Sequence, residues 1–450
     1  MTKDMTDGDP LGMIVRFALP MMIGAAFQQL YGVVDMLVLG NALGSRALAA
    51  VGATASVNFM AMSLAMGLTT GFTVMASRFF GAKDTETLKK TVAASVYISA
   101  VVVTALALIG WYGAEPLMRL LGTPADIFND AVTYTKITIG LSAGMVVYNS
   151  ATAMLRAVGD SRTPLIFLIV SSAINVLLNL FIVLVLKRGV AGVAVGTVVC
   201  QSLSAAACLI FMYKRFDIFK LNKTDFRQLP GVTLQILKIG LPVSLQSMLL
   251  AAGDMTIAGV VNSAGTDVVA AFSTGSRIMY FVMMFNMQLA TAFSVFAGQN
   301  SGAGLPERIK RGFRDMAVVT ALISVLMAAF VFACGDWLIG LFITSGDAHI
   351  GDIIPLARSM LRVYALFFLF LGAIWLYNFT LRGMGDVFIP FISGLTELVL
   401  KVSLSIILFR AMGSMGIWLA NPIGWVLGVI PSAIRFHSGG WRNLIKRQFK

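Results

Sequence analysis

Residues 67–90, GLTTGFTVMASRFFGAKDTETLKK, return in altered form as residues 288–311, QLATAFSVFAGQNSGAGLPERIKR, without a gap. Starting one residue earlier, at Met66 and Met287, 10 of 25 positions are identical. LRAVGDSRTP (155–164) likewise matches LRGMGDVFIP (381–390), and ALP (18–20) matches GLP (240–242). The chain is an internal duplication. What each copy contains follows from composition.

Of the 450 residues, 58% are hydrophobic and only 12% charged, with a mean hydropathy of +0.85. Soluble domains do not have this balance. Apolar runs long enough to cross a hydrocarbon core of about 30 Å recur along the whole chain. Twelve are read, at 14–43, 49–77, 91–112, 131–153, 164–186, 189–213, 235–263, 268–299, 316–343, 358–381, 388–410 and 412–435. The fold class expected is an all-α polytopic membrane protein built from two six-helix repeats. Its parts are an N-terminal lobe (1–213), a basic linker (214–234) and a C-terminal lobe (235–450). Six is even, so both copies start on the same side and the repeats are parallel, a plan of secondary transporters with a site between the halves.

The first apolar run is too long for a signal h-region and has no A-x-A-like site, so it is expected to remain in the mature protein. Cys200, Cys208 and Cys334 lie in or beside apolar runs without metal-ligand spacing, which points to packing. The net charge of +13 sits in alternate short loops rather than in a nucleic-acid-binding patch. Lys and Arg number 24 on the side of the N-terminus and 9 on the other, so both termini are expected in the cytoplasm.

Ionisable groups inside a span cost at least about 2.5–3.5 kcal/mol and are functional candidates by default. Asp35, Asp254, Glu397 and Lys401 are such groups. Asp35 lies eight residues before the outer end of the first span, Asn179 eight before Lys187, and Thr197 eight after Gly189. At 1.5 Å per residue all three fall about 12 Å below the outer surface. Asn175 and Asn179 share one helical face. A carboxylate, two amide oxygens and a hydroxyl at one depth suit Na⁺ by hard-oxygen ligation, or a proton held on Asp35. The other reading is interhelical glue, with Asp35 accepting its neighbours' hydrogen bonds.

In the second half, Glu397 and Lys401 stand at i and i+4 in the favourable order, and pairing is their simplest reading. The offset of the LRAVGD/LRGMGD repeat puts Lys401 where the first half has Asn175, so an ammonium takes the place of a mobile cation. Asp254, at similar depth, is a second partner for Lys401, although its register matches Val33 or Gly32 rather than Asp35. The three form a C-half charge cluster, either a structural ion pair or a group that binds proton or substrate. The pairs Gly40/Gly44, Gly67/Gly71 and Gly192/Gly196 have the spacing of close helix contacts. Phe and Met, 31 and 26 in number, suit an adaptable apolar lining for varied hydrophobic substrates, while lipid-facing or core packing is the better reading for most of them.

LYGVVDMLVLGNALGSRALAAVGA (30–53), the ASRFFGAKD loop (76–84) and the twice-used LRxxGD turn together resemble the multidrug and toxic compound extrusion (MATE) family. The resemblance covers nearly the whole chain. It implies a V of two six-helix lobes around a large cleft and alternating access. The implied function is secondary active antiport, exporting organic, often cationic compounds in exchange for Na⁺ or H⁺. It matches Asp35 to the family's acid on helix 1, Asn175 to its helix 5 asparagine and Thr197 to its helix 6 hydroxyl. Asn179 departs from one branch, which has an aspartate there. The second-half acids do not fall on the glutamate and aspartate positions used by some members.

The expected setting is a bacterial inner membrane, with small organic molecules and membrane lipids as partners, no nucleic acid, no cofactor, and a monomer. The alternative is a flippase for a lipid-linked precursor, which would line its path with several Arg or Lys for pyrophosphate. Enzyme motifs are absent: there is no H-E-x-x-H, G-x-S-x-G or G-x-x-x-x-G-K-[ST], and His349 and His437 lie in or near loops. The LRAVGD and LRGMGD turns read as helix connections, each Asp near a helix end and each Arg anchored at the headgroups.

Overall fold

The computed structural model describes residues 4–227, 229–342 and 350–443, excepting the side chains of residues 31, 33–39, 41, 42 and 350. Fifteen α-helices follow one another. They are α1 (Pro10–Ala53), α2 (Ala55–Gly81), α3 (Thr85–Leu108), α4 (Ala114–Leu120), α5 (Phe128–Gly140), α6 (Ala143–Ala157), α7 (Arg162–Leu180), α8 (Gly189–Arg215), α9 (Pro230–Ser263), α10 (Thr266–Gly302), α11 (Pro306–Gly340), α12 (Ile350–Leu366), α13 (Phe368–Gly383), α14 (Phe388–Met412) and α15 (Ser414–His437). No strand occurs among the described residues. The reason is physical: in hydrocarbon a helix satisfies its own backbone, and an open strand does not.

Among the described residues ten helices are long and apolar enough to span a bilayer, and two further spans are broken pairs. Together they account for the twelve apolar runs. The spans expected unbroken at 131–153 and 358–381 are bent by 43° between α5 and α6 and by 52° between α12 and α13. Leu141 and Phe367 mark the breaks, and they stand at the same 226-residue offset as Leu155 and Leu381. The third span, expected at 91–112, runs as Thr85–Leu120 through a π-helical turn at Ile109–Gly113. There α3 meets α5 so closely that a Cβ on Gly110 would strike the backbone of Gly140.

By packing, the chain falls into two compact units, one mainly Ile23–Ser244 and the other Met5–Met22 with Leu245–Lys450. Both transitions fall two residues after a repeated proline, Pro20 inside α1 and Pro242 inside α9. Proline lacks the backbone N–H for one intrahelical hydrogen bond, and it is beside these prolines that α1 and α9 pass from one unit to the other.

The LRxxGD turns end α6 and α13 alike. Gly159 (φ 85°) and Gly385 (φ 83°) take the left-handed conformation, and Asp160 N–H and Asp386 N–H donate back to Leu155 O and Leu381 O at 2.9 Å each. Asp160 then accepts the Arg162 and Thr163 amides at the start of α7, at 3.1 and 3.0 Å. The arginines depart from the headgroup expectation. Arg382 is half-buried, stacks over Phe379 and donates to Gln246 Oε1 at 2.7 Å. Arg156 is half-buried as well.

The three glycine pairs separate. Gly71 faces α9, where an added Cβ would lie 2.7 Å from Ile236 O, and one on Gly67 would collide with the Ser244 backbone. Gly192 and Gly196 press on Ile182 and Asn179. Gly40/Gly44 is different: Gly44 (φ +81°) breaks α1, with nothing near its Cβ among the described residues. Gly67→Ala is expected to cost about 1–3 kcal/mol through overpacking. Gly259→Ala, which meets nothing within 4 Å, serves as the control. Fluorescence-monitored melting in detergent compares the two, and equal melting temperatures would refute the contact.

Candidate functional site

In the first unit, α7 carries Asn175 and Asn179 one turn apart, 4% and 1% exposed. Asn179 Nδ2 donates to Asn175 Oδ1 at 3.0 Å. A buried amide pair is tolerated in a span because each side chain finds a partner inside the protein. Directly afterwards the chain passes into a π-helical turn, Phe181–Val185, which shifts the register of the last turn of this span. Gly196 on α8 makes room for the pair: a Cβ there would come within 2.6 Å of Asn179 Oδ1.

Asn175 and Thr197 line one cavity of about 150 Å³, together with Gln28 of α1, Tyr148 and Asn149 of α6, Ser172 of α7 and Gln201 of α8. Next to it lies a larger cavity of about 390 Å³, with Asn58, Phe59, Tyr134 and Thr138 in its wall. Met62, Met145, Thr197 and Gln201 belong to both linings, so the two spaces adjoin. The walls are partly tied: Thr138 Oγ1 donates to Asn58 Oδ1 at 3.2 Å, and Asn149 Nδ2 to Met145 O at 2.8 Å. Both cavities combine amide and hydroxyl groups with thioether and aromatic surface, Tyr148 in the small one and Phe59 and Tyr134 in the large one. Asp35 lies in α1, and its side chain is outside the described residues.

In the second unit, Lys401 of α14 is 4% exposed, and its ammonium lies 2.5 Å from Asp254 Oδ1 of α9. The lysine's salt bridge is therefore across helices to Asp254, and Glu397, one turn away on α14, is not within 4.0 Å of it. The Asp254 side chain is 68% exposed, so the pair is buried at one end and open at the other. Glu397 sits against α15 beside the Trp425 indole, where Gly424 and Gly428 leave space for it. On α9, Gly253 does the same for Lys401. Close by, Asn421 Nδ2 donates to Tyr364 Oη at 2.7 Å.

Of the residues singled out in the sequence, the structure brings Asn175 and Thr197 to the small cavity, packs Asn179 against Asn175 and pairs Lys401 with Asp254; the cavity-lining Gln28, Asn58, Tyr148, Asn149 and Gln201 were not singled out. A usable signal existed for Gln201, which stands one turn after Thr197 on the same face of α8. Cys200 and Cys208 are buried free thiols, and Cys200 borders the small cavity.

A family model described as MatE matches residues 20–181 and 242–407. The probable multidrug resistance protein YpnP of Bacillus subtilis is 28% identical over 446 residues, 98% of each chain. The probable multidrug resistance protein NorM of Thermotoga maritima is 23% identical, covering 96% of this chain and 93% of that one. Among solved structures, the outward-facing conformation of a multidrug resistance MATE family transporter of the MOP superfamily superposes with a TM-score of 0.90. It is 25% identical and matched over 98% of both chains. A MOP superfamily transporter from Pyrococcus furiosus, described as having a binding pocket of reverse polarity that suggests a different function, superposes with a TM-score of 0.89. Its identity is 24%, over 99% of this chain and 98% of that one.

The cross-helix pair makes its own prediction. Lys401→Met leaves Asp254 inside the span without its cation and is expected to destabilise by about 1–3 kcal/mol, less than for a fully buried pair because the carboxylate is exposed. The double variant Lys401→Met/Asp254→Asn should regain most of that loss. Melting in detergent tests it, and a double variant as unstable as the single one would show that the two residues are not coupled.

Proposed function

The chain belongs to the MatE family, and from that membership we propose that it is a secondary active multidrug efflux antiporter. It exports organic, often cationic and amphipathic compounds in exchange for Na⁺ or H⁺. It works as a monomer in a bacterial inner membrane with both termini in the cytoplasm, and it needs no cofactor beyond the coupling ion. It is a transporter rather than an enzyme.

The observation that carries this reading is the adjoining pair of cavities in the first unit. The larger falls within the range of small-molecule sites, about 300–1,000 Å³, and has the mixed apolar and polar wall that amphipathic solutes require. The smaller is lined by Thr197, which the sequence reads at the depth of Asp35, and by Asn175, one turn deeper on the face of Asn179. Position 35 stands seven residues after Gln28, two turns along the same face of α1, and Gln28 lines the small cavity. A coupling ion entering beside Asp35 cancels its charge, and Asn175, Asn179 and Thr197 complete the oxygen shell. Because the two cavities share Met62, Met145, Thr197 and Gln201, rearrangement around the ion changes the wall the drug touches. Ion and drug then compete by favouring different states, which requires each to bind those states with different affinity.

The flippase alternative needs free basic groups for pyrophosphate, and the intramembrane base Lys401 is occupied by Asp254. Drug efflux from proteoliposomes with independently imposed Na⁺ and pH gradients tests antiport, and efflux indifferent to both would overturn it. A lipid-linked precursor assayed in the same vesicles separates the flippase.

Asp35→Asn should abolish gradient-driven efflux while leaving the melting temperature unchanged. Normal export by that variant would sink the coupling role. Gly196→Ala, which pushes a methyl into Asn179, should weaken the apparent affinity for the coupling ion about tenfold, the worth of one misplaced polar partner. An unchanged ion dependence of transport would remove Asn179 from the shell.

A further inference from the structure

Helix α6 has two faces with opposite tasks. Met145, Tyr148 and Asn149 line the polar cavity, while Val147, Ser150 and Met154, on the other side, form the floor of a groove of about 330 Å³. Its walls are α3, through Val92, Val96 and Val103, and α8, through Leu209 and Met212. Around it Val96, Tyr97 and Val101 on α3 and Leu209, Ile210 and Tyr213 on α8 are exposed, so the groove opens on bilayer-facing surface.

The groove has polar residues but offers no polar group to a ligand. Ser99 and Ser150 bond each other at 2.9 Å, Ser95 donates to Val92 O at 2.7 Å, and Ser150 donates to Val146 O at 2.8 Å. What it presents is hydrocarbon, which suits an acyl chain and not a polar solute.

One end of the groove is basic. Lys89 lies one turn before Val92 on the same stripe of α3, and Arg215 lies one turn after Met212 at the end of α8. These ends are on the same side, because Asp217–Phe219, which follows α8 directly, packs against α3. Among the described residues the local acids are engaged elsewhere, Glu86 by Lys90 at 2.7 Å, Asp217 by Lys220 at 2.6 Å, Asp84 by the Thr87 amide at 3.0 Å and Asp225 by the Asn222 amide at 2.7 Å. Lys220, and at longer range Lys89, hold the Asp217 carboxyl below the usual carboxylate range. Neither Lys89 nor Arg215 has an ion-pair partner within 4.0 Å among the described residues.

We propose that this groove is a binding site for an anionic phospholipid, with one acyl chain lying along α6 between α3 and α8 and the phosphate held by Lys89 and Arg215. Basic pockets between spanning helices on the side where lysines and arginines gather are suited to such headgroups. The lipid rests on the back of the helix whose front lines the cavity, so its occupancy bears on the position of Tyr148 and Asn149.

The test uses the full-length protein in detergent, titrated with phosphatidylglycerol or with phosphatidylcholine of the same acyl chains and read by native mass spectrometry. Wild type should retain phosphatidylglycerol in preference. Lys89→Gln/Arg215→Gln should reduce that binding about 30-fold, each basic group being worth about fivefold, and leave phosphatidylcholine unaffected. Ala100→Phe, which fills the groove from α3, should reduce retention of both lipids with the headgroup preference intact. Equal binding of the two lipids by wild type, or an unchanged preference in the double variant, would overturn the site. The charge variant lies outside the packed core, so it keeps the test decisive if Ala100→Phe fails to fold.

Discussion

A polar group carried into hydrocarbon must find its partner inside the protein, because no water is there to supply one. That constraint organises the chain at every scale. It selects helices, whose backbone closes on itself, and it sets where side chains with oxygen or nitrogen are tolerated. Asn179 finds Asn175, Ser99 finds Ser150, Asn286 finds Ser324 at 3.0 Å, and Ser432 finds Asn378 at 2.5 Å. Most join separate helices, so the polar groups a span cannot leave exposed become the ties between spans. Glycine supplies the complementary device, close approach, at Gly67, Gly110 and Gly196.

Duplication gives the two units the same skeleton and lets their polar interiors diverge. The repeated elements are the ones that shape backbone: the prolines within α1 and α9, the left-handed glycines of the LRxxGD turns, and the breaks at Leu141 and Phe367. Even there the side chains differ, since Asp160 caps α7 while Asp386 takes a salt bridge from Arg435 at 2.7 Å. Backbone geometry is a shared requirement of the plan, and side-chain chemistry is free to specialise.

The same division decides what was legible in the sequence. Spans could be read because twenty apolar residues in a row have one physical use, and the repeats because a cap or kink constrains residue identity. The breaks inside 131–153 and 358–381 were not legible: they fall in LSAG and LFFLF, stretches with no proline, where tertiary contact decides. Charged residues announced themselves by their cost, which is why Lys401 and Asp254 were found. Their pairing across helices could not be ranked above the i,i+4 alternative without knowing that Gly253 brings α9 against α14. Gln28, Asn58 and Asn149 were missed because an uncharged amide costs too little to stand out in an amphipathic helix, and only the fold shows that three separated helices turn these amides toward two adjoining spaces.

The two units consequently solve the same electrostatic problem in opposite ways. In the second, the acid on α9 already has its cation, delivered on a covalent tether from α14, and Gly253 lets α9 come close to Leu398 and Lys401. A tethered ammonium has no translational entropy to lose, so it stabilises one arrangement of α9 against α14. In the first, the described donors around Asn175 and Thr197 are neutral oxygens lining a space of about 150 Å³. Neutral oxygens solvate a cation but do not supply one. Under the proposed coupling role, the Asp35 carboxylate depends on an ion that arrives from solution and leaves again, and that dependence is what an ion gradient requires to do work.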